Sequence, residues 1–179
     1  MKKTISIIII IAMCAMLASC GGVKNEVSDT EQPTLMDTMS LEEKVGQILF
    51  VRCVEDEQTD DLMSIKPGGI LMFGRDFEGL TKDEVKEKIQ SYQDKSDIPL
   101  IIGADEEGGT VVRVSSNPNL APEKFKSPQE IYNEGGMDAV VENATEKSEL
   151  LLSLGVNMNL APVADVSTNP SDYMYDRSL

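Results

Sequence analysis

Two short segments combine carboxylates, glycines and arginine at spacings that could hold a polyhydroxylated ligand. The first is Ala104-Asp105-Glu106-Glu107-Gly108-Gly109-Thr110-Val111-Val112-Arg113. The second is Ala161-Pro162-Val163-Ala164-Asp165-Val166, and Arg177 follows in Asp176-Arg177-Ser178. A carboxylate accepts up to four hydrogen bonds, so one fixed in place can grip vicinal hydroxyls of a sugar. An arginine adds a planar fork of donors that stays charged at any ordinary pH. Gly108 and Gly109 let the backbone turn sharply, or let a ligand approach it closely. By residue type alone an acidic surface turn followed by an unrelated arginine fits equally well. A calcium loop fits less well, because the acids are consecutive rather than alternate. A phosphate nest lacks the Lys and Ser/Thr that P-loop spacing requires.

Composition narrows the chemistry. The 179 residues carry 31 acidic against 16 basic side chains, a net charge of −15, and no histidine. The missing histidine removes Ser-His-Asp triads, Cys-His dyads and His-based zinc sites from this chain. The negative charge argues against nucleic acid and anionic lipid headgroups as electrostatic partners. No acidic run follows metal-ligand spacing, the VEDEQTDD stretch after Cys53 included; that stretch reads as a solvated loop or helix face.

The elements that must position the two segments alternate between strand and helix. Ser40-Leu41-Glu42-Glu43 fits a capping box, and the apolar stretch after it ends in a strand around residues 48–52. Pro67-Gly68-Gly69 breaks the chain ahead of the run Ile70-Leu71-Met72-Phe73, whose Met72 and Phe73 read as ordinary core. A second capping box at Thr81-Lys82-Asp83-Glu84 opens a helix with Val85, Ile89 and Tyr92 on one stripe. A strand follows over residues 100–104. A long helix over residues 137–154 carries Met137, Val140, Val141, Ala144, Leu151 and Leu154, and Gly155 stands at its C-cap. Residues 156–160 read as a fourth strand. Such alternation predicts an α/β fold with a parallel sheet, either barrel or open sheet, whose chemistry sits at the C-terminal strand ends. Both candidate segments have that address.

The N-terminus reads separately. Lys2 and Lys3 precede an apolar run over residues 5–18, too short for the ~20 residues of a membrane-spanning helix. It ends in Leu17-Ala18-Ser19-Cys20-Gly21-Gly22, which resembles a bacterial lipoprotein signal: residues 1–19 are removed and Cys20 is lipidated. This implies an extracytoplasmic protein anchored to the bacterial cell membrane through Cys20. Residues 20–38 then read as a flexible tether, and Cys53 stands without an internal disulfide partner.

SLEEKVGQILFV, GGILMFGRDFEG, PLIIGADEEGGTVVRV, LGVNMNLAPVADVSTNP and DRSL occur in the order found in the N-terminal barrel of glycoside hydrolase family 3. Over residues 39–179 the chain resembles the bacterial β-N-acetylhexosaminidases of that family, which also includes β-glucosidases and β-xylosidases. The resemblance implies retaining hydrolysis of a carbohydrate substrate such as an N-acetylglucosamine-containing glycan, with no cofactor and no metal. It implies that Asp105 holds sugar hydroxyls in the −1 subsite, that Arg113 and Arg177 contact substrate, and that Asp165 orders the loops around the site. The bland alternatives are an exposed acid, a structural ion pair and a terminal surface arginine. Glu106 and Glu107 stay open between ligand contact and solvated surface.

In such hydrolases an aspartate attacks the anomeric carbon and an acid–base group protonates the leaving oxygen. In the hexosaminidase branch the proton carrier resembles a histidine beyond a Lys-His-Phe-Pro-Gly-His segment. That segment and the nucleophile strand follow the DRS block, so no catalytic residue is assigned here and both groups are expected beyond Leu179. Residues 39–179 supply roughly the first half of a (β/α)8 TIM barrel of ~250 residues. The expectation is therefore a partial barrel, a truncated copy that is inactive and poorly stable alone. The alternative is a lipid-anchored, non-catalytic sugar-binding protein or inactive remnant. Its sugar-receptor form would have two lobes and stacking aromatics, whereas this chain is short and has no Trp.

Overall fold

The computed structural model describes residues 34–178. The signal segment, Cys20 and most of the expected tether lie outside the described residues. The chain forms two compact units, Met1–Asp37 and Thr38–Leu179. In the first, the Asp37 carboxylate accepts the Thr34 N–H and hydroxyl, each at 2.8 Å, and opens the single turn α1 (Leu35–Thr38). The last residues expected as tether are thus helical, because a side chain three positions on supplies the cap.

The second unit alternates as expected, with shifted boundaries. Helix α2 (Leu41–Gln47) starts at a capping box: the Ser40 hydroxyl accepts the Glu43 N–H, and the Glu43 carboxylate accepts the Ser40 N–H. Ile48 remains in helical conformation as C-cap, so β1 (Phe50–Arg52) starts later than the apolar run suggests. The acidic run folds as a 3-10 turn (Asp56–Gln58) and α3 (Thr59–Ser64), with its carboxylates exposed. Strand β2 (Gly69–Met72), helix α4 (Lys82–Gln93) from the Thr81 capping box, and β3 (Ile101–Ala104) follow. Helix α5 (Pro128–Leu154) begins well before Met137, since Ser127-Pro128-Gln129-Glu130 is a third capping box with proline in the first turn. Gly135 and Gly136 leave helical geometry and kink it. Strand β4 (Met158–Asn159) is short. Val156, expected as strand, is buried in the core, while Asn157 and Leu160 N–H groups bond the Ile102 and Ala104 carbonyls at 2.9 and 3.0 Å.

All four strands are parallel, in the order β1-β2-β3-β4. This is the arrangement of the first half of a (β/α)8 barrel, not closed among the described residues. One face is covered by helices. Ile70, Met72, Ile102 and Ala104 are fully buried in one cluster with Val85, Ile89 and Tyr92 of α4 and Leu151 and Leu154 of α5. Each fully buried aliphatic side chain there contributes ~1.5–3 kcal/mol of transfer free energy. The opposite face stays open: Phe50, Ile101 and Met158 remain 38%, 46% and 39% exposed. The Phe50 ring lies across Gly69 and Gly103, where a Cβ would collide with it.

The apolar stripe of α5 divides at mid-helix. Met137, Val140 and Ala144 line a cavity of about 330 Å³ with Asn159 of β4, Pro162 and Val163. Met137 and Val141 are exposed, so the periodic stripe does not mark a buried face at this end of the helix. Buried Cys53 sits with its Sγ 3.2 Å from the Tyr92 hydroxyl, and burial pushes its thiol pKa up.

The capping box of α2 predicts a pH effect. Lys66 Nζ, 2.5 Å from Glu43 Oε1, and the Ser40 N–H hold the Glu43 carboxyl down at about 2. A lowered folded pKa gives a contribution complete above the ordinary value near 4.5 and lost as pH falls through about 2. Thermal unfolding of the wild type and Glu43→Gln should therefore show a Tm gap above pH ~5 that narrows toward pH ~2. A gap independent of pH contradicts this assignment.

Candidate active site

Strand β3 points Asp105, Glu106 and Glu107 in alternate directions from its C-terminal end, and each meets a different partner. Asp105 is partly buried, and its Oδ2 accepts Arg113 Nη2 at 3.1 Å. No other donor reaches Asp105 among the described residues, so its Oδ1 remains open. Glu106 turns the other way and is 0% exposed. Its carboxylate accepts the backbone N–H groups of Arg113 (2.8 Å), Val114 (2.7 Å) and Ser115 (3.3 Å), together with the Ser115 hydroxyl. Glu107 receives Arg177 as a bidentate partner, Nε to Oε2 at 2.8 Å and Nη2 to Oε1 at 2.7 Å.

The alternatives left open for Glu106 and Glu107 are thereby narrowed, since neither is solvated surface. Both are buried, because the chain closes back over them. Gly108 and Gly109 make that closure possible at φ of 105° and 63°. A Cβ on Gly108 would collide with the Lys126 carbonyl oxygen, and one on Gly109 with Ser127 Cβ. Of their two expected uses, the structure shows the sharp turn, with the close approach made by the chain itself. Gly109 N–H donates to Phe125 O at 2.8 Å, holding the turn against the start of α5.

Two residues without a functional reading in the sequence complete the support. Asn159 in β4 accepts the Glu106 N–H at 2.9 Å and donates to the Glu106 carbonyl at 3.1 Å. Lys147 in α5 is buried and donates to the Glu107 carbonyl at 2.7 Å. Burial pushes the Lys147 pKa down, opposed by the charges of Glu106 and Glu107. A signal for Lys147 exists in the sequence: it takes the turn left vacant in the stripe Val140, Ala144, Leu151, Leu154.

The structure brings Asp105, Arg113 and Arg177 to the same end of β3 through three consecutive acidic residues. Arg177 is largely buried rather than a terminal surface group. The Glu107 carboxylate raises its pKa, and its guanidinium carbon lies 4.7 Å from the Tyr173 ring centroid. The Gln129 side chain bonds Tyr175 O at 2.6 Å and ties the Arg177 segment to α5. Arg113 does form an ion pair, and its Nε is buried without a hydrogen-bond partner among the described residues. Asp165 is exposed and acts on Arg177 only through its charge. Met72 is core as expected, but Phe73 is not. Its ring stands at the rim of the sheet, with Arg113 and Arg52 at 5.6 and 4.6 Å from its centroid. Among the described residues no group of three or more acidic, cysteine or histidine side chains could hold a metal ion.

The half-open parallel barrel carries its carboxylate and arginines at the C-terminal strand ends, where this fold places its chemistry, and comparison with known proteins assigns the family. The profile of the glycosyl hydrolase family 3 N-terminal domain matches residues 40–179, and the chain belongs to that family. It is 31% identical over 108 residues to β-hexosaminidase A of Pseudoalteromonas piscicida, a match covering 59% of this chain and 18% of that protein. A β-hexosaminidase of Haemophilus influenzae is 24% identical over 113 residues, covering 63% of this chain and 32% of the relative. The chain thus spans about a third or less of the length of these curated relatives. Among solved structures, a family 3 glycosyl hydrolase from Mycobacterium smegmatis superposes with a TM-score of 0.65 at 23% identity, covering 79% of this chain and 42% of that one. A fungal multi-domain family 3 β-N-acetylglucosaminidase gives a TM-score of 0.61 at 27% identity, covering 73% and 16%.

Glu106→Gln tests the buried support. The change keeps the shape but turns one acceptor into an amide facing backbone N–H donors. It should lower unfolding free energy by about 2 kcal/mol or more, read from the urea midpoint. An unchanged midpoint would contradict the role given to Glu106.

Proposed function

We propose that this chain forms the sugar-holding part of a glycoside hydrolase acting on β-linked N-acetylglucosamine glycans. One observation carries the reading: Asp105 is fixed by Arg113 at the end of β3, with one carboxylate oxygen open on the uncovered face of the sheet. That oxygen accepts sugar hydroxyls, while Arg113 orients the carboxylate. Arg177 holds Glu107 and so fixes the loop that follows. Family membership and the β-hexosaminidase relatives support the N-acetyl sugar and the hydrolytic chemistry.

The proposal assigns the nucleophile and the proton donor of a retaining reaction to residues other than these. Glu106 is closed to any ligand, Glu107 is saturated by Arg177, and the chain contains no histidine. Asp105, already paired with an arginine, is a binding group rather than a nucleophile. Calorimetric titration of the full 179-residue chain with N-acetylglucosamine should show binding, weakened about tenfold or more by Asp105→Ala. The same chain should not turn over 4-nitrophenyl N-acetyl-β-glucosaminide. Absence of binding by the wild type would refute the sugar-holding role, and turnover by the wild type would refute the division of labour.

The proposal includes an extracytoplasmic location with acyl chains on Cys20, supported by the sequence Leu17-Ala18-Ser19-Cys20 behind a short apolar run. Protein expressed in bacteria should partition into the detergent phase of a Triton X-114 extract, and Cys20→Ser should move it to the aqueous phase. Equal partition of both would exclude the anchor.

A further inference from the structure

The loop after β4 closes in an ordered turn that sets an aromatic ring beside the strand-end carboxylates. The Asn169 side chain accepts the Ser171 N–H and the Asp172 carboxylate accepts the Met174 N–H, each at 3.1 Å. A 3-10 turn (Tyr175–Arg177) follows, and Gln129 of α5 holds its first carbonyl. Arg177 then reaches back to Glu107 as a bidentate partner, while its guanidinium carbon lies 4.7 Å from the Tyr173 ring centroid. Tyr173 is thus tied, through one cation, to the segment that begins with Asp105.

The ring is nonetheless 70% exposed. Arg177 lies over one of its faces, so the opposite face carries most of that exposure. The guanidinium is itself locked by Glu107 and already restricts the ring, so a ligand on the free face costs little further ordering. A β-linked N-acetylglucosamine ring, with its substituents equatorial, presents flat C–H faces that pack on an aromatic surface by apolar contact and dispersion. The chain has no Trp, so such a surface must come from Tyr or Phe. Phe50 lies across Gly69 and Gly103, and Phe73 is flanked by two guanidiniums. Along an extended chain Asp105 and Glu107 are set apart by roughly 7 Å, the scale of one sugar unit. Tyr173, reached only through the partner of Glu107, stands beyond the ring that Asp105 holds.

Resting on the carbohydrate reading above, we infer that Tyr173 is a specificity-determining residue: the free face of its ring stacks on a second sugar, the one linked to the sugar held by Asp105. The site then favours a glycan of two or more units over a single sugar.

Titration of the full chain with N-acetylglucosamine and with N,N′-diacetylchitobiose tests this. The disaccharide should bind about tenfold tighter. That gain should vanish in Tyr173→Ala while affinity for the monosaccharide stays at its wild-type value. Tyr173→Phe should keep the gain, because stacking needs the ring and not the hydroxyl; a gain lost there overturns the inference. So does a gain that survives Tyr173→Ala. An equal fall in both affinities also overturns it, since Tyr173 would then act only by steadying Arg177. If Tyr173→Ala lacks wild-type circular dichroism and Tm, tyrosine ultraviolet absorbance decides. The disaccharide should perturb it in the wild type and much less in Tyr173→Phe, and the same perturbation in both overturns the inference. Binding of neither sugar removes the carbohydrate reading and this inference together, whereas equal binding of both by the wild type removes this inference alone.

Discussion

The buried carboxylate of Glu106 is the constraint on which the strand-end arrangement depends. A carboxyl group out of water is tolerated only when its oxygens find partners, and here three backbone N–H groups and one hydroxyl supply them. All four donors come from residues 113–115, so satisfying Glu106 forces that segment to return to the end of β3. Arg113 then stands beside Asp105. The geometry of the exposed pair is thus a by-product of solvating the hidden acid. Asn159 secures the same residue's backbone from β4, which makes the end of β3 rigid from two sides.

Three consecutive acids consequently do three different things. Alternation along the extended chain sends Asp105 toward the open face, Glu106 inward and Glu107 toward Arg177. Lys147 lies beneath, pinned to the Glu107 carbonyl, so that three cations and three carboxylates share the region. A buried lysine would be costly alone. Next to Glu106 and Glu107 its charge is offset by theirs.

Local signals account for what was legible in the sequence. The boxes at Ser40 and Thr81 need only residues three apart, and the stripe Val85, Ile89, Tyr92 needs only helical period, so both survive folding intact. The box at Ser127 has the same signature, but the polar, glycine-containing stretch before Met137 masks it in a periodicity reading. Strand ends shift where a neighbour competes for the backbone, as when the Gln93 side chain bonds both the N–H and carbonyl of Leu100. The burial of Glu106 and the Arg177–Glu107 pair, 70 residues apart in the chain, depend on tertiary partners and have no local signature. Phe73 misleads for a related reason: its apolar run describes β2, yet the ring lies past the strand's last paired residue, Met72.

The two faces of the sheet also bear on how such a sequence can drift. On β2 and β3, Ile70, Met72, Ile102 and Ala104 answer to close packing under helices, while Leu71, Phe73, Gly103 and Asp105 answer to whatever occupies the concave side. Adjacent letters of one strand therefore evolve under unrelated selection. Exchanges at odd positions can retune recognition while the even positions keep the scaffold, which lets one framework diversify its ligands without relearning how to fold.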